Sequence, residues 1–278
     1  MPYDPLMADD LLLDFERVIF EHDGKSRTVF RLGSGPAVLV MAEIPGITPK
    51  VAAFARAVAE IGCTAILPHL FGTPGKDADP SHVGTAASLR TMTASLVPAC
   101  ISREFTTFAT GKTSPVVAWL RALGSYEHQQ CGGPGYGAVG MCFTGGFALA
   151  MAVDDEMLAP VLSQPSMPVG ITRRHRQSID ISAEDFERVK YRCAHDGLEV
   201  LGLRFTSDRL VPGERFEMLR RELGDAFVAF EIGPDDANPA AMIPPHSVLT
   251  EHLIDEPGHP TRDAYDAALE LFRRKLLC

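Results

Sequence analysis

The 278-residue sequence lacks the features that take a chain to nucleic acid or to a membrane. It has no basic excess. With 26 Lys and Arg against 36 Asp and Glu, its formal net charge is -10, so it repels polyanions at long range, and neither nucleic acid nor anionic membrane is expected as a main partner. No apolar run reaches the length that a bilayer helix needs. The opening residues, MPYDPLMADDLLLDFERV, carry acid where a signal peptide carries base, and their apolar run extends only from Leu11 to Leu13. The six cysteines (63, 100, 131, 142, 193 and 278) form no C-x-x-C pair and no zinc-type spacing. They read as free thiols in a reducing compartment, so a cytoplasmic location is expected, with no metal and no cofactor. The one tryptophan, Trp119, lies at helical spacing with Val116 and Leu120 and reads as core.

What remains is ordinary globular composition, 46% hydrophobic and 22% charged, with a clear order of elements. FERVIFEH and SRTVFRLG alternate around Asp23-Gly24, which predicts an antiparallel hairpin near the N-terminus. Strands and helices then alternate. PAVLVMAE (36–43) is a continuous apolar run, as in a strand buried on both faces. Thr48 as N-cap, Pro49 at the first position and Gly62 past the end delimit a helix. TAILP (64–68) is the next strand, and Ser114-Pro115 opens the helix VVAWLRAL, stopped by Gly124. AVGMC is a strand running into the helix GGFALAMAV, and APVLSQ a further strand. Ser182 caps AEDFERVKYRCAHDG, with Asp185 placed for a capping-box-like contact. EVLGLRFT, GERFEMLRREL, AFVAFEI and TRDAYDAALELFRRKLL complete the series as strand, helix, strand and helix. The Gly-, Thr-, Ser- and Pro-rich stretch 71–112 gives no clear element. The alternation predicts an α/β fold, with a mostly parallel, doubly wound sheet and helices on both faces. No repeat or linker divides it, so one domain over residues 1–278 is expected.

In such sheets ligands bind at the carboxyl ends of the strands. Cys142, in GYGAVGMCFTGGFALAMA, stands where a strand gives way to a helix, flanked by Gly140 and by Gly145-Gly146. Glycines there relieve the crowding of a sharp turn, and a helix N-terminus beneath a thiol lowers its pKa. A nucleophile also needs a base and an orienting acid, in the chain order nucleophile, acid, histidine. Asp208 follows strand 199–206, and His246, in IPPHSVLT, follows the next strand. Asp225 and His252 are poorer candidates because they fall inside or beside predicted helices. Two other motifs fail. The G-x-G-x-x-G at Gly135, Gly137 and Gly140 precedes a strand rather than a helix, and GKTS (111–114) would need a glycine where Thr106 stands.

These residues resemble the dienelactone hydrolase family of α/β-hydrolases, whose motif is glycine, any residue, the nucleophilic cysteine, any residue, then two glycines. GMCFTGG matches at Gly140 and Cys142, while Thr144 takes the place of the first following glycine and the pair comes one residue later. A threonine there predicts a slightly more open elbow. VMAEIPGITP, CTAILPHLFG, FTSDRLVP and PHSV extend the similarity over roughly residues 36–255, with a poorer stretch around 163–196. The resemblance implies an α/β-hydrolase fold and acyl transfer on a small-molecule ester or lactone. Cys142 would attack the carbonyl, His246 held by Asp208 would manage protons, and the N–H groups of Phe143 and Ile44 would receive the oxyanion. It also implies that Glu43 contacts the resting thiol and keeps it protonated until substrate displaces it, so that the enzyme reacts slowly with general thiol reagents. Arg103 falls where a substrate-binding arginine is expected, whereas the position after the histidine that would hold a second offers Glu251. Two alternatives stay open: a hydrolase-fold protein that binds small molecules without turnover, and an acyltransferase or thioesterase using the same triad.

Overall fold

The computed structural model describes residues 9–102, 104, 105 and 107–277. Charged residues alternate with apolar ones in β1 (Glu16–His22) and β2 (Lys25–Gly33), which pair antiparallel. The two residues joining them, Asp23 and Gly24, both have positive φ, +50° and +70°, the two-residue turn whose twist suits a hairpin. The remaining strands are short and apolar: β3 (Ala37–Met41), β4 (Thr64–Pro68), β5 (Tyr136–Met141), β6 (Met157–Ser163), β7 (Val200–Phe205) and β8 (Phe227–Ile232). One sheet holds all eight in the order β1-β2-β4-β3-β5-β6-β7-β8, parallel except where β2 meets β1 and β4.

Burial on both faces explains the apolar strands. In β3, Ala37, Leu39 and Met41 join one core while Val38 and Val40 join the other. The first core packs beneath α4 (Val116–Cys131), α5 (Phe147–Met151), α7 (Ala183–His195) and α8 (Gly213–Leu223). The second lies under α1 (Pro49–Glu60) and α9 (Pro260–Leu276), through Val51, Phe54, Ala268 and Phe272. Smaller helices, α2 (Pro80–Val83) and α6 (Arg173–Arg176), and the longer α3 (Thr85–Ile101) occupy the connections. No helix among the described residues is long and apolar enough to cross a membrane.

Several expectations need correction. Gly124 does not stop α4, which runs on to Cys131. It is a packing site: a Cβ there would lie 2.7 Å from the ring of Tyr136, a residue with no exposed surface. Ser182 caps α7 by accepting from Asp185 N (3.0 Å), but the Asp185 carboxylate turns to Thr113 Oγ1 (2.6 Å) instead of closing the box. The helix after Cys142 is interrupted. A 3-10 turn, Cys142–Thr144, and two glycines precede α5, which has only five residues, so little helix dipole acts on the sulfur. The stretch 71–112 contains α3, hidden from periodicity because its buried positions are the small Ser88, Ser95 and Ala99 while Leu89, Leu96, Val97 and Ile101 face outward.

Gly124→Ala should lower stability by about 1–2 kcal/mol despite alanine's higher helix propensity, because the tightly packed Tyr136 ring has to move. Urea unfolding with an unchanged m-value checks this.

Candidate active site

All the residues singled out from the sequence that the structure describes gather at one edge, beyond the carboxyl ends of β3, β5, β7 and β8. The chain steps from β3 outward to β4 and returns on the far side of β3 as β5, so the crevice between β3 and β5 is a switch point of the sheet. Glu43 and Ile44 leave one wall of it, and Cys142 and Phe143 leave the other. Arg103 lies outside the described residues.

Cys142 has φ +52°, a left-handed conformation costly for a residue with a side chain. Its neighbours make that turn possible. A Cβ at Gly140 would sit 2.1 Å from Thr144 O, and one at Gly145 would sit 2.4 Å from Pro165 Cα. Thr144 lies inside this turn. It is fully buried, and its Oγ1 accepts from Met141 N (2.9 Å) while lying 2.9 Å from Met41 O, so it ties the Cys142 turn to the end of β3. The extra methyl and hydroxyl fill space that a glycine would leave empty.

Asp208 and His246 meet directly, with Nδ1 at 2.6 Å from Asp208 Oδ2 and both side chains largely buried. Asp208 is fixed in turn as acceptor from Leu210 N (2.8 Å). Burial alone would lower the pKa of the imidazole, but Cys142 and Asp208 outweigh burial and hold it well above the usual histidine value. Nε2 is buried and makes no hydrogen bond of good geometry among the described residues, while the Cys142 sulfur lies near enough to bias the charge of the ring. The histidine loop is itself pinned by a second histidine. His252 Nδ1 accepts from Ser247 N (3.2 Å) and His246 N (3.4 Å), and its Nε2 donates to Ile243 O (3.1 Å). Burial lowers the pKa of His252, which preserves the neutral ring this pattern requires.

Glu43 is buried and accepts three hydrogen bonds, from Ser247 Oγ (2.6 Å), Gln164 Nε2 (3.3 Å) and Thr250 Oγ1. The thiol is not among those donors. The hydrogen-bonding neighbour of Cys142 Sγ is Ser166 Oγ at 3.5 Å, and Ser166 N also donates to Cys142 O (3.0 Å). The loop bearing Ser166 is clamped from beneath by Arg215, a fully buried guanidinium on α8. It donates to the carbonyls of Pro165, Pro168 (2.6 Å), His175 (3.2 Å) and Ser178 (2.6 Å). Burial pushes its pKa down to about 10, so it stays charged near neutrality.

Neither Phe143 N nor Ile44 N donates a hydrogen bond to another group among the described residues, which leaves both amides available to a ligand. Phe143 also forms the back of an aromatic cluster, edge-on to Phe71 (centroids 6.0 Å apart) and Phe105 (5.2 Å). Those two rings line a cavity of about 640 Å³ beneath α3, together with Leu70, Ser95 and Ser102.

Ser247 and Thr250 flank His246 in sequence, and Gln164 and Ser166 follow a predicted strand at the reactive edge, so position alone could have flagged them. Arg215 gave no such signal, because an arginine in an amphipathic helix reads as surface.

Two outcomes follow from these contacts. Arg215→Met should cost about 3 kcal/mol or more in denaturant unfolding, since it leaves buried carbonyls without a donor. An imidazole raised in the folded state contributes stability that is complete below about 6.5 and disappears as pH rises through the folded value. Asp208→Asn removes one cause of that rise, so thermal unfolding should find the variant further below the parent at pH about 6 than at pH about 9.

The comparisons with known proteins agree with this architecture. A candidate dienelactone hydrolase from Klebsiella pneumoniae subsp. pneumoniae superimposes with TM-score 0.57 at 15% identity, over 94% of this chain and 98% of that one. A dienelactone hydrolase-like promiscuous phosphotriesterase from metagenomic libraries gives 0.56 at 16% identity, with the same coverage of 94% and 98%. A cold-adapted esterase from an Arctic intertidal metagenomic library gives 0.53 at 14%, over 99% and 100%. No curated protein matches the sequence. At such identities the superpositions establish the fold, an α/β-hydrolase sheet with an antiparallel N-terminal hairpin. The sequence profile of the Dienelactone hydrolase family matches residues 28–182, a segment holding Glu43, Ile44, Cys142 and Phe143, and with more than half of its length so matched the chain belongs to that family.

Proposed function

We propose that this chain is a cysteine-dependent hydrolase of ester or lactone bonds, working through Cys142, His246 and Asp208 by way of an acyl-enzyme. The observation that carries the reading is the 2.6 Å contact between Asp208 and the His246 ring, with the ring beside a cysteine held at φ +52° on the adjoining turn. Family membership and neighbours named for ester and phosphotriester hydrolysis support the same reaction class.

In this reading Nε2 of His246 takes the thiol proton as the sulfur attacks the substrate carbonyl carbon, and the negative charge formed on the carbonyl oxygen is taken by the N–H groups of Phe143 and Ile44. His246 Nε2–H gives its proton to the departing alkoxide oxygen, which leaves the acyl group on the sulfur. Water then attacks the thioester, giving up a proton to Nε2. The acid is released and the thiol restored. Asp208 keeps the ring in the tautomer that serves both halves and stabilises its charged form. A thiolate is itself a good leaving group, so acylation runs forward only when the substrate's leaving group is comparably good. Activated esters and enol-lactones meet that condition. The cavity under α3, walled by Phe71 and Phe105, offers room for the apolar part of such a molecule.

Cys142→Ala should retain the fold and lower turnover of an activated aryl ester by at least about a thousandfold. Intact mass after brief incubation should show one acyl group on the parent protein and none on the variant. A parent that never acylates would favour a non-catalytic binding protein.

A further inference from the structure

β1 is one margin of the sheet and pairs with β2 alone, so its outer side is an open edge among the described residues. The two-residue turn at Asp23-Gly24 makes His22 and Lys25 the closing, hydrogen-bonded pair of the hairpin. Such pairs alternate along an antiparallel ladder, so Arg17, Ile19 and Glu21 turn their N–H and C=O groups away from β2. Their side chains share the face opposite the one on which Val18 and Phe20 pack against the first core. All three are exposed, Ile19 by 63%, and neither Arg17 nor Glu21 enters an ion pair among the described residues.

Charged residues on an edge strand ordinarily blunt it against foreign strands. In ERVIFEH the charges are also symmetric about the central residue. Turned end for end and laid beside itself, the strand sets Ile19 against Ile19, Arg17 against Glu21, Val18 against Phe20 and Glu16 against His22. In that register the outward main-chain groups of residues 17, 19 and 21 face those of residues 21, 19 and 17, so each finds a partner. A slip of two residues in either direction sets Arg17 or Glu21 opposite Ile19, and a parallel in-register pairing sets like charge on like. β8, the opposite margin, has no such symmetry, and its one charge, Glu231, is already held by Arg204 and Arg220.

We infer that β1 is an interface between two copies of this chain, whose edge strands pair antiparallel about a two-fold axis at Ile19 and join the two sheets into one. Each favourable pair then occurs twice, as in any isologous contact. The axis reverses strand direction, so the two reactive edges open at opposite ends of the joined sheet and neither covers the other. A seven-residue edge is small beside the roughly 800 Å² per partner of a standard interface, so the dimer forms only at concentrations of about 1–100 μM.

Sedimentation velocity over that range tests this. The parent should move with concentration from the chain's 30.1 kDa toward twice that mass. Arg17→Glu sets carboxylate against carboxylate on both sides of the axis, and Glu21→Arg does the same with guanidinium groups. Each should weaken association at least about tenfold. Both side chains are exposed, so the variants should keep the parent's unfolding midpoint at low concentration. An equimolar mixture of the two should recover a dimer, because each carries the complement of the other. The double variant Arg17→Glu/Glu21→Arg should recover it alone. A parent that stays at 30.1 kDa throughout, a dimer indifferent to either reversal, or single variants that do not associate when mixed would overturn the assignment.

Discussion

One backbone angle governs the reactive edge. With φ +52°, the half-buried Cys142 turns the chain from the end of β5 into the 3-10 segment in a left-handed conformation. Such a conformation costs about 1–3 kcal/mol and persists only where its surroundings impose it. Here three surroundings do so. Gly140 admits the carbonyl of Thr144, Gly145 admits Pro165, and Thr144 anchors the turn to the end of β3. The last contact also sets the distance between the two walls of the crevice, because β3 continues into Glu43 and Ile44. The geometry of the Cys142 turn and the placing of the Ile44 amide are therefore one problem with one solution.

Beside the crevice, two ionisable side chains are held by neutral partners. Glu43 is held by two hydroxyls and an amide, and Arg215 by main-chain carbonyls, so both charges keep their hydrogen bonds without a tight opposite charge. Isolated buried ions are expensive, and full hydrogen bonding is what makes them tolerable. The Asp208–His246 pair differs, since there two ionisable side chains meet directly and the proposed reaction moves charge. The molecule thus separates groups that hold shape from groups whose protonation is proposed to change during turnover.

How much of this could be read from sequence depended on whether a residue's neighbours lay close by in the chain. β4 and α8 were legible to the residue, because Pro68, Gly213 and Gly224 punctuate runs of clear pattern. The hairpin was legible because Asp23-Gly24 permits few alternatives. α3 was not, since a helix whose buried face consists of serine and alanine leaves no apolar stripe to detect. Gly124 was misread as a terminator because nothing near it in the chain announces the Tyr136 ring that crosses it. The carboxylate–thiol contact failed for a similar reason: the resemblance located Glu43, but its donors come from residues 164, 247 and 250, whose side chains no local pattern orients.

The Arg215 clamp has a consequence for how the polypeptide acquires its reactivity. The elbow is complete in the chain long before α8 emerges, yet the loop bearing Ser166 is held only when that later helix docks. His246 arrives later still. A nascent or partly opened molecule therefore carries Cys142 without the Ser166 loop held or the His246 ring in place. Docking of the C-terminal third of the chain thus completes surroundings of Cys142 that the first half of the chain only begins.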